Sequence, residues 1–176
     1  MKYQRTAIVA LTLSASAFVS LVTSEGWSDK AIIPVPGDVW TIGFGTTDGV
    51  KKGDKIDPIT AVVRAQRDVT KFESEIKKCV TAPLYQHEYD AYTEFAYNIG
   101  GAKFCSSSIP AKINAGQYEE ACKTLLEFTC GPAIEATRAK PGQPCYSKRK
   151  PMRQLPGLVK RRQKEYKTCT GTSQQL

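Results

Sequence analysis

Motifs for metal binding and for nucleophilic catalysis are nearly absent from the sequence. His87 is the only histidine, and no two of the six cysteines stand at the spacing of zinc ligands. A lone histidine without a serine or cysteine motif is also poor evidence for a nucleophilic triad. We therefore expect no metal site and no cofactor, and we assign His87 no role in catalysis.

A long hydrophobic run is also missing. The most apolar stretch, residues 6–23, carries no charge, follows Lys2 and Arg5, and is rich in Ala, Ser, Thr and Val. Its 18 residues fall short of the roughly 20 that a stable transmembrane helix requires, and its hydroxylated side chains weaken it further. The sequence therefore predicts a signal-type segment over residues 1–24, followed by one globular domain over residues 25–176.

Two fates of this N-terminal segment stay open. Ala15-Ser16-Ala17 offers a small-x-small site at which an ordinary secretory signal would be cleaved. The alternative is an uncleaved, weakly hydrophobic anchor, which carries the domain across the inner membrane and can later leave the membrane. Both alternatives predict that the domain is exported.

Acidic residues are scarce in the C-terminal third of the chain. Between residues 138 and 167, Glu165 is the only acid, and the net charge of the whole chain is +8. Such a patch attracts polyanions, and an anionic lipid surface or cell-wall polymer would suit it. We expect no nucleic-acid partner, because no zinc spacing, RNA-binding aromatic motif or heptad-linked basic helix accompanies the charge. The basic residues of the patch are Arg138, Lys140, Lys148, Arg149, Lys150, Arg153, Lys160, Arg161, Arg162, Lys164 and Lys167.

The cysteines indicate an oxidising compartment. They are even in number and absent from the N-terminal segment, which favours three disulfides. Cys130 and Cys145 flank a Pro- and Gly-rich stretch, and their pairing would close a loop of about fifteen residues and stabilise the fold by roughly 3 kcal/mol in the chain-entropy model. The pairs that follow by elimination are Cys105 with Cys122 and Cys79 with Cys169.

Hydrophobic periodicity predicts a mainly helical α+β domain with a small sheet. Residues 39–44, VWTIGF, and the Gly-punctuated stretch behind them indicate a β-hairpin. Asp57-Pro58 is typical of a helix start. The predicted helices cover residues 58–79, 85–99, 109–115, 118–128 and 158–167, and residues 130–156 are predicted to form an ordered loop.

Glu25, Asp38 and Thr41 form the candidate catalytic set. Hydrolysis of a glycosidic bond requires a carboxylic acid that protonates the leaving oxygen and a second group that handles water on the other face of the sugar. A helix end followed by a hairpin can build such a cleft. The signal is weak by itself, because these three residue types occur within a similar span in many unrelated proteins.

The chain nevertheless resembles a known family over most of its length. The stretches EGWSDKA, VWTIGFGTT, EFAYNIGGAKFCSSSI, KINAGQYEEAC and LPGLVKRRQKE are similar, in this order, to the phage lysozymes, or endolysins, of glycoside hydrolase family 24. The resemblance implies a lysozyme-like fold with a small β-hairpin lobe and a helical lobe. It also implies cleavage of the bond between N-acetylmuramic acid and N-acetylglucosamine in peptidoglycan, which lyses the host cell.

The resemblance also assigns roles to individual residues. The acid of the family matches Glu25, and the threonine that helps hold the water matches Thr41. The family's aspartate falls on Pro34, so Asp38 is the nearest candidate for its role. Three further residues, Asn98, Phe104 and Ser106, match a region that borders the cleft in the family and are predicted to bind substrate.

The anchor also fits this family, in which some members keep a signal-anchor-release segment and stay inactive until they leave the membrane. The resemblance thus implies a monomer that is held at the host inner membrane and then released into the periplasm. Two alternatives remain: an exported, disulfide-stapled cationic protein that binds the envelope without catalysis, and a lytic transglycosylase that uses the same glutamate.

Overall fold

The computed structural model describes residues 4–34 and 39–172 and has the predicted α+β, mainly helical architecture. Two short antiparallel sheets flank a helical body. The elements are α1 (Ala15–Glu25), β1 (Ser28–Ile32), β2 (Thr41–Gly43), α2 (Pro58–Cys79), α3 (Gln86–Ile99), α4 (Gly101–Ser106), α5 (Ile109–Asn114), α6 (Tyr118–Thr124), β3 (Cys130–Pro132), β4 (Met152–Gln154) and α7 (Pro156–Cys169). Short 3-10 helices cover Ile8–Ala10, Leu125–Glu127 and Glu135–Thr137.

Helix α3 forms the centre of the helical body. Its Tyr89, Tyr92 and Phe95 are fully buried, and α3 packs against α2 and α7. The start of α2 is confirmed: the Asp57 side chain accepts hydrogen bonds from the backbone of Ile59 and Thr60, with Pro58 in the first turn. Packing against α3 therefore fixes the positions of α2 and α7 relative to the centre of the body.

The first sheet differs from the predicted hairpin. Strand β2 pairs with β1, which precedes it, and Ser28 lies opposite Gly43. The sequence of β1, SDKAI, has no alternation of apolar and polar residues, because most of this edge strand faces solvent. Gly43 has φ +64°, and a Cβ there would lie 2.9 Å from the Cβ of Ala61, so the glycine lets β2 approach α2 closely.

The region predicted as an ordered loop contains the second sheet, β3 with β4. The disulfide Cys130–Cys145 is confirmed, but the other two predicted pairs are wrong. Helix α4 turns back onto α2, so Cys105 bonds to Cys79. Helix α6 packs against α7, so Cys122 bonds to Cys169. Elimination failed because these two pairs depend on helix packing rather than on sequence spacing.

Residues of the N-terminal segment lie within the helical body. Ile8 and Leu11 belong to the main core, and Ala17 and Leu21 on α1 are also buried. Arg5 is held by both carboxylate oxygens of Glu88, at 3.0 and 2.8 Å. Over residues 4–34 and 39–172, none of the helices has the length and apolar character needed to cross a membrane.

Candidate active site

A cleft of about 300 Å³ lies between the end of α1, the turn after β2, and helices α2 and α3. Residues on four separate parts of the chain contribute to it, because the sheet and the helical body meet here. Carboxylates, a lysine, hydroxyls and aromatic rings face the same space. The cleft is lined by Glu25, Pro34, Thr41, Gly45, Thr47, Asp48, Asp68, Lys71, Phe72, Tyr97 and Asn98.

Glu25 is the last residue of α1 and lies on the wall of the cleft. Gly26 follows with φ +76° and turns the chain from the helix into β1. Nη1 of Arg161, on α7, donates a hydrogen bond to Oε1 of Glu25 at 2.7 Å, and the two side chains form a half-buried ion pair. The carboxylate therefore has one oxygen fixed by the guanidinium and a second oxygen directed at the turn after β2.

The turn after β2, residues 43–46, is held by contacts from two helices. Oγ1 of Thr46 donates to Oδ2 of Asp68 on α2 at 2.6 Å, and the hydroxyl of Tyr97 on α3 donates to the carbonyl of Phe44 at 2.8 Å. Burial raises the pKa of Tyr97 well above its ordinary value, and the negative charges of Asp68 and Glu25 raise it further. Tyr97 therefore stays a neutral hydrogen-bond donor beside the carboxylates.

Two of the three predicted catalytic residues line the cleft. Thr41 begins β2, and its Oγ1 donates to the carbonyl of Val39 at 3.2 Å. Pro34, at the position where the family's aspartate falls, also lines the cleft but offers no acid. Asp38 lies outside the described residues.

The three predicted substrate-binding residues are not together. Asn98 lines the cleft, and its Oδ1 accepts a hydrogen bond from Nη2 of Arg162 at 2.8 Å. Phe104 is fully buried against the rings of Tyr92 and Phe95, which corrects the expectation that it borders the cleft. Ser106 is exposed at the end of α4 and bonds to the carbonyl of Lys103 rather than lining the cleft.

A buried ion pair lies behind Asn98. Nη2 of Arg162 donates to Oε1 of Glu165 at 2.8 Å, and both side chains are fully buried. Burial raises the pKa of Glu165 to about 8, although Arg162 opposes this change. Arg162 of this pair also holds the side chain of Asn98, so α7 supports the site at both Glu25 and Asn98.

Sequence reasoning missed most of the residues that surround Glu25. In the sequence, Arg161 belongs only to the basic patch, and Asp68 and Tyr97 fall within two predicted helices without any motif that marks them. Asp68 and Asp48 place two further carboxylates in the cleft. Over the described ranges, no group of three or more His, Cys, Asp or Glu side chains is arranged to hold a metal ion.

Comparisons with known proteins agree on the kind of molecule that carries this cleft. Residues 22–165 match the family model described as "Phage lysozyme". The SAR-endolysin of Pseudomonas phage phiKMV is 35% identical, and the match covers 92% of this chain and 90% of that protein. The endolysin of Acyrthosiphon pisum secondary endosymbiont phage 1 is 32% identical over 72% of this chain and 76% of its own length. The muramidase domain of SpmX from Asticaccaulis excentricus has a similar fold, with a TM-score of 0.74 and 23% identity over 90% of this chain and 97% of that one.

Proposed function

The chain belongs to the phage lysozyme family, and from this premise we propose that Glu25 is the general acid with which it cleaves peptidoglycan. The protein is a lysozyme-type glycoside hydrolase, an endolysin that cleaves the glycan of peptidoglycan and so lyses the host cell. What we propose concerns the residues that perform the reaction and the control of the enzyme before lysis.

One observation carries the assignment of Glu25. Its carboxylate lies on the wall of the cleft, with Oε1 bonded to Arg161 and Oε2 directed at Gly45. A glycosidic oxygen placed in the cleft could approach Oε2 and take its proton as the bond to the sugar carbon breaks. Thr41, on the facing strand, is suited to hold the water that attacks the same carbon.

Replacement of Glu25 tests this assignment. A positioned general acid contributes about a hundredfold to ten-thousandfold in rate, so Glu25→Gln should lose clearing of purified peptidoglycan by at least the lower factor. Glu119→Gln is the matched control, because this carboxylate lies on the exposed face of α6. A folded Glu25→Gln protein that clears peptidoglycan at the control rate would refute the role of Glu25.

We assign the family's aspartate role to Asp38. The position where that aspartate falls carries Pro34, and Asp38 lies four residues further along the chain, before Thr41. Asp38→Ala should therefore lose most of the activity, measured as clearing of purified peptidoglycan by the purified variant. Asp48→Ala and Asp68→Ala serve as comparisons: loss of activity in one of these variants together with full activity in Asp38→Ala would move the role to the other carboxylate.

We infer hydrolysis rather than lytic transglycosylation, because Thr41 is proposed to hold the water that attacks the sugar carbon. A hydrolase transfers the glycosyl carbon to water and leaves a reducing sugar end, whereas a transglycosylase leaves an anhydro end. Mass analysis of the released muropeptides separates the two products. Thr41→Ala should lower the rate without producing anhydro ends, and anhydro ends from the unmodified enzyme would contradict hydrolysis.

The N-terminal segment controls the enzyme in this proposal. We assign residues 1–24 to an uncleaved anchor that holds the protein at the inner membrane and later enters the periplasm with it. Retention is favoured because cleavage after Ala17 would remove Ile8 and Leu11 from the core and Arg5 from Glu88. Glu25 takes its place in the cleft only when α1 is folded against the body. A purified periplasmic form whose sequence begins after Ala17 would contradict the release mechanism and leave the muramidase assignment intact.

A further inference from the structure

A strongly cationic loop lies apart from the cleft. We call residues 133–153 the cationic loop; they run from the end of β3 into β4. The loop contains six basic residues, and Glu135 is its only acid. Glu135 pairs with Arg138. Among the described residues, no acid forms an ion pair with the other five, which are exposed: Lys140, Lys148, Arg149, Lys150 and Arg153.

The cationic loop has a fixed shape. The disulfide Cys130–Cys145 ties its middle to β3. Nη2 of Arg138 donates to the carbonyl of Ser147, across the loop. The backbone N–H of Ala139 donates to the carbonyl of Met152 on β4 at 2.7 Å. The exposed cations are thus held close together on a preformed scaffold, and less ordering would accompany binding.

Apolar side chains are exposed beside these cations. Tyr146 is 38% exposed and lines a shallow cavity of about 340 Å³ together with Arg138, Lys140 and Lys148. Ile134 is 70% exposed. The N–H of its neighbour Ala133 bonds to the carbonyl of Pro151 at 2.9 Å, which brings Ile134 beside the segment that carries Lys150. One surface therefore combines positive charge with an aliphatic and an aromatic side chain.

We propose that the cationic loop binds the surface of an anionic phospholipid bilayer. Lysine and arginine attract headgroup phosphates, and arginine can donate two parallel hydrogen bonds to one phosphate. Tyrosine is favoured at the headgroup level, and an exposed isoleucine is stabilised by entry into the acyl boundary. A sugar polymer of the wall would also bind the cations, but it offers no apolar environment that would stabilise the exposed side chain of Ile134. The lipid surface is therefore the partner that uses every feature of the loop.

This inference goes beyond the proposed catalytic function. None of the described residues that line the cleft belongs to the cationic loop, so lipid binding does not occupy the active site. Contact with the membrane would keep the released enzyme near the envelope surface, where its substrate lies. It would also act independently of the N-terminal segment, which meets the membrane through apolar contacts.

Vesicle binding by the full chain tests the proposal. The triple variant Lys148→Gln, Arg149→Gln and Lys150→Gln removes three cations from the loop. The matched control, Lys51→Gln, Lys52→Gln and Lys55→Gln, removes three exposed cations from the region after β2. The two proteins have equal net charge and the same N-terminal segment. Co-sedimentation is measured with phosphatidylglycerol-containing vesicles and with phosphatidylcholine vesicles.

We expect the loop variant to bind phosphatidylglycerol vesicles about a hundredfold more weakly than the control, since each basic residue near an anionic surface contributes about a factor of five. Binding through the loop should also weaken as the salt concentration rises, because the Debye length falls from about 10 Å at 0.1 M to about 3 Å at 1 M. Ile134→Ser should weaken binding without changing this salt dependence. Clearing of purified peptidoglycan should be equal in all variants.

Two outcomes would overturn the proposal. Equal vesicle binding by the loop variant and the control would show that the cations of the loop do not contact lipid. Unchanged vesicle binding by the loop variant together with loss of its binding to purified peptidoglycan would make the loop a wall-polymer site instead.

Discussion

Gly45 lies directly beside Oε2 of Glu25. Its φ of +88° lies in the left-handed region, and a Cβ at this position would lie 3.4 Å from Oε2 of Glu25 and 3.6 Å from the ring of Tyr97. A methyl group would thus occupy space beside Oε2, through which a leaving oxygen would reach this carboxylate in the proposed mechanism. Glycine at this position allows the positive φ of the turn and also keeps the space beside the Glu25 carboxylate open.

Gly45→Ala should lower kcat for peptidoglycan cleavage severalfold and also lower the melting temperature. The backbone strain alone costs about 1–2 kcal/mol, so a control with equal strain is needed. Gly53→Ala provides it, because Gly53 has φ +91° and no atom lies within 4 Å of a Cβ built there. Equal loss of stability in both variants with equal kcat would show that Gly45 does not keep Glu25 accessible.

Local motifs were enough to identify short stretches that contribute to the cleft. Glu25 and Thr41 each lie within a short recognisable stretch, and both line the cleft. Arg161 is 136 residues away from Glu25 along the chain, and no local pattern connects them. Phe104 lies within a matching motif, yet packing places its ring in the core. A motif thus identified the segment but not the direction of each side chain.

Helix α1 is held in place by carboxylates on two other helices. Oδ1 and Oδ2 of Asp90, on α3, accept from the backbone N–H and the hydroxyl of Ser14, at 2.9 and 2.7 Å. Oε1 of Glu73, on α2, accepts from the backbone of Leu13 at 2.7 Å. These bonds fix the start of the helix that ends at Glu25. Docking of the whole element therefore sets the position of the acid.

Asp90→Ala should lower both the melting temperature and the catalytic rate. Without the Asp90 carboxylate, two donors of Ser14 lose their acceptor, which lowers the free energy of unfolding by about 1–3 kcal/mol. Each kcal/mol lowers the melting temperature by about 2–4 °C in a chain of this size. Asp57→Ala is the control: it removes a helix cap on α2, a loss that costs about 1 kcal/mol, and Asp57 is not among the described residues that line the cleft. A catalytic rate in Asp90→Ala as high as in Asp57→Ala would contradict the positioning of Glu25 by docking of α1.

The long helices were predicted well, the six-residue helix α4 was not predicted, and the strands were predicted poorly, for a physical reason. The periodicity of α2 is set within the helix itself, so its predicted bounds of 58–79 agree with the structure. Strands β1, β3 and β4 are short edge strands without alternation, and each depends on a partner elsewhere in the chain. The same dependence on distant packing explains why only the short-range disulfide, Cys130–Cys145, was predicted correctly.

In this proposal the N-terminal segment is part of two states of the whole molecule, the folded domain in water and the domain anchored in lipid. In the fold, the segment buries Ile8, Leu11 and Leu21 but leaves Val9 78% and Val19 59% exposed. The aqueous fold uses only one side of this uncharged run, and a lipid environment would be favourable for all of it. The proposed anchor accounts for the apolar residues that the body does not bury. The equilibrium between the membrane-inserted and the released state then depends on the hydrophobicity of the whole segment. The stability of the folded domain depends only on the side chains of the segment that the body buries.

Substitutions on the exposed side should therefore shift the time of lysis without changing the enzyme. Ala15 and Ser16 are exposed in the fold, so Ala15→Leu with Ser16→Leu should favour the inserted state and delay lysis. Val9→Ser with Val19→Ser should favour release and hasten lysis. Both double variants should clear purified peptidoglycan at the unmodified rate once isolated. The contrasting account, cleavage after Ala17, discards all of these positions except Val19 and predicts that the leucines change nothing. Unaltered lysis timing in both double variants would therefore eliminate the anchor and leave an ordinary secreted lysozyme.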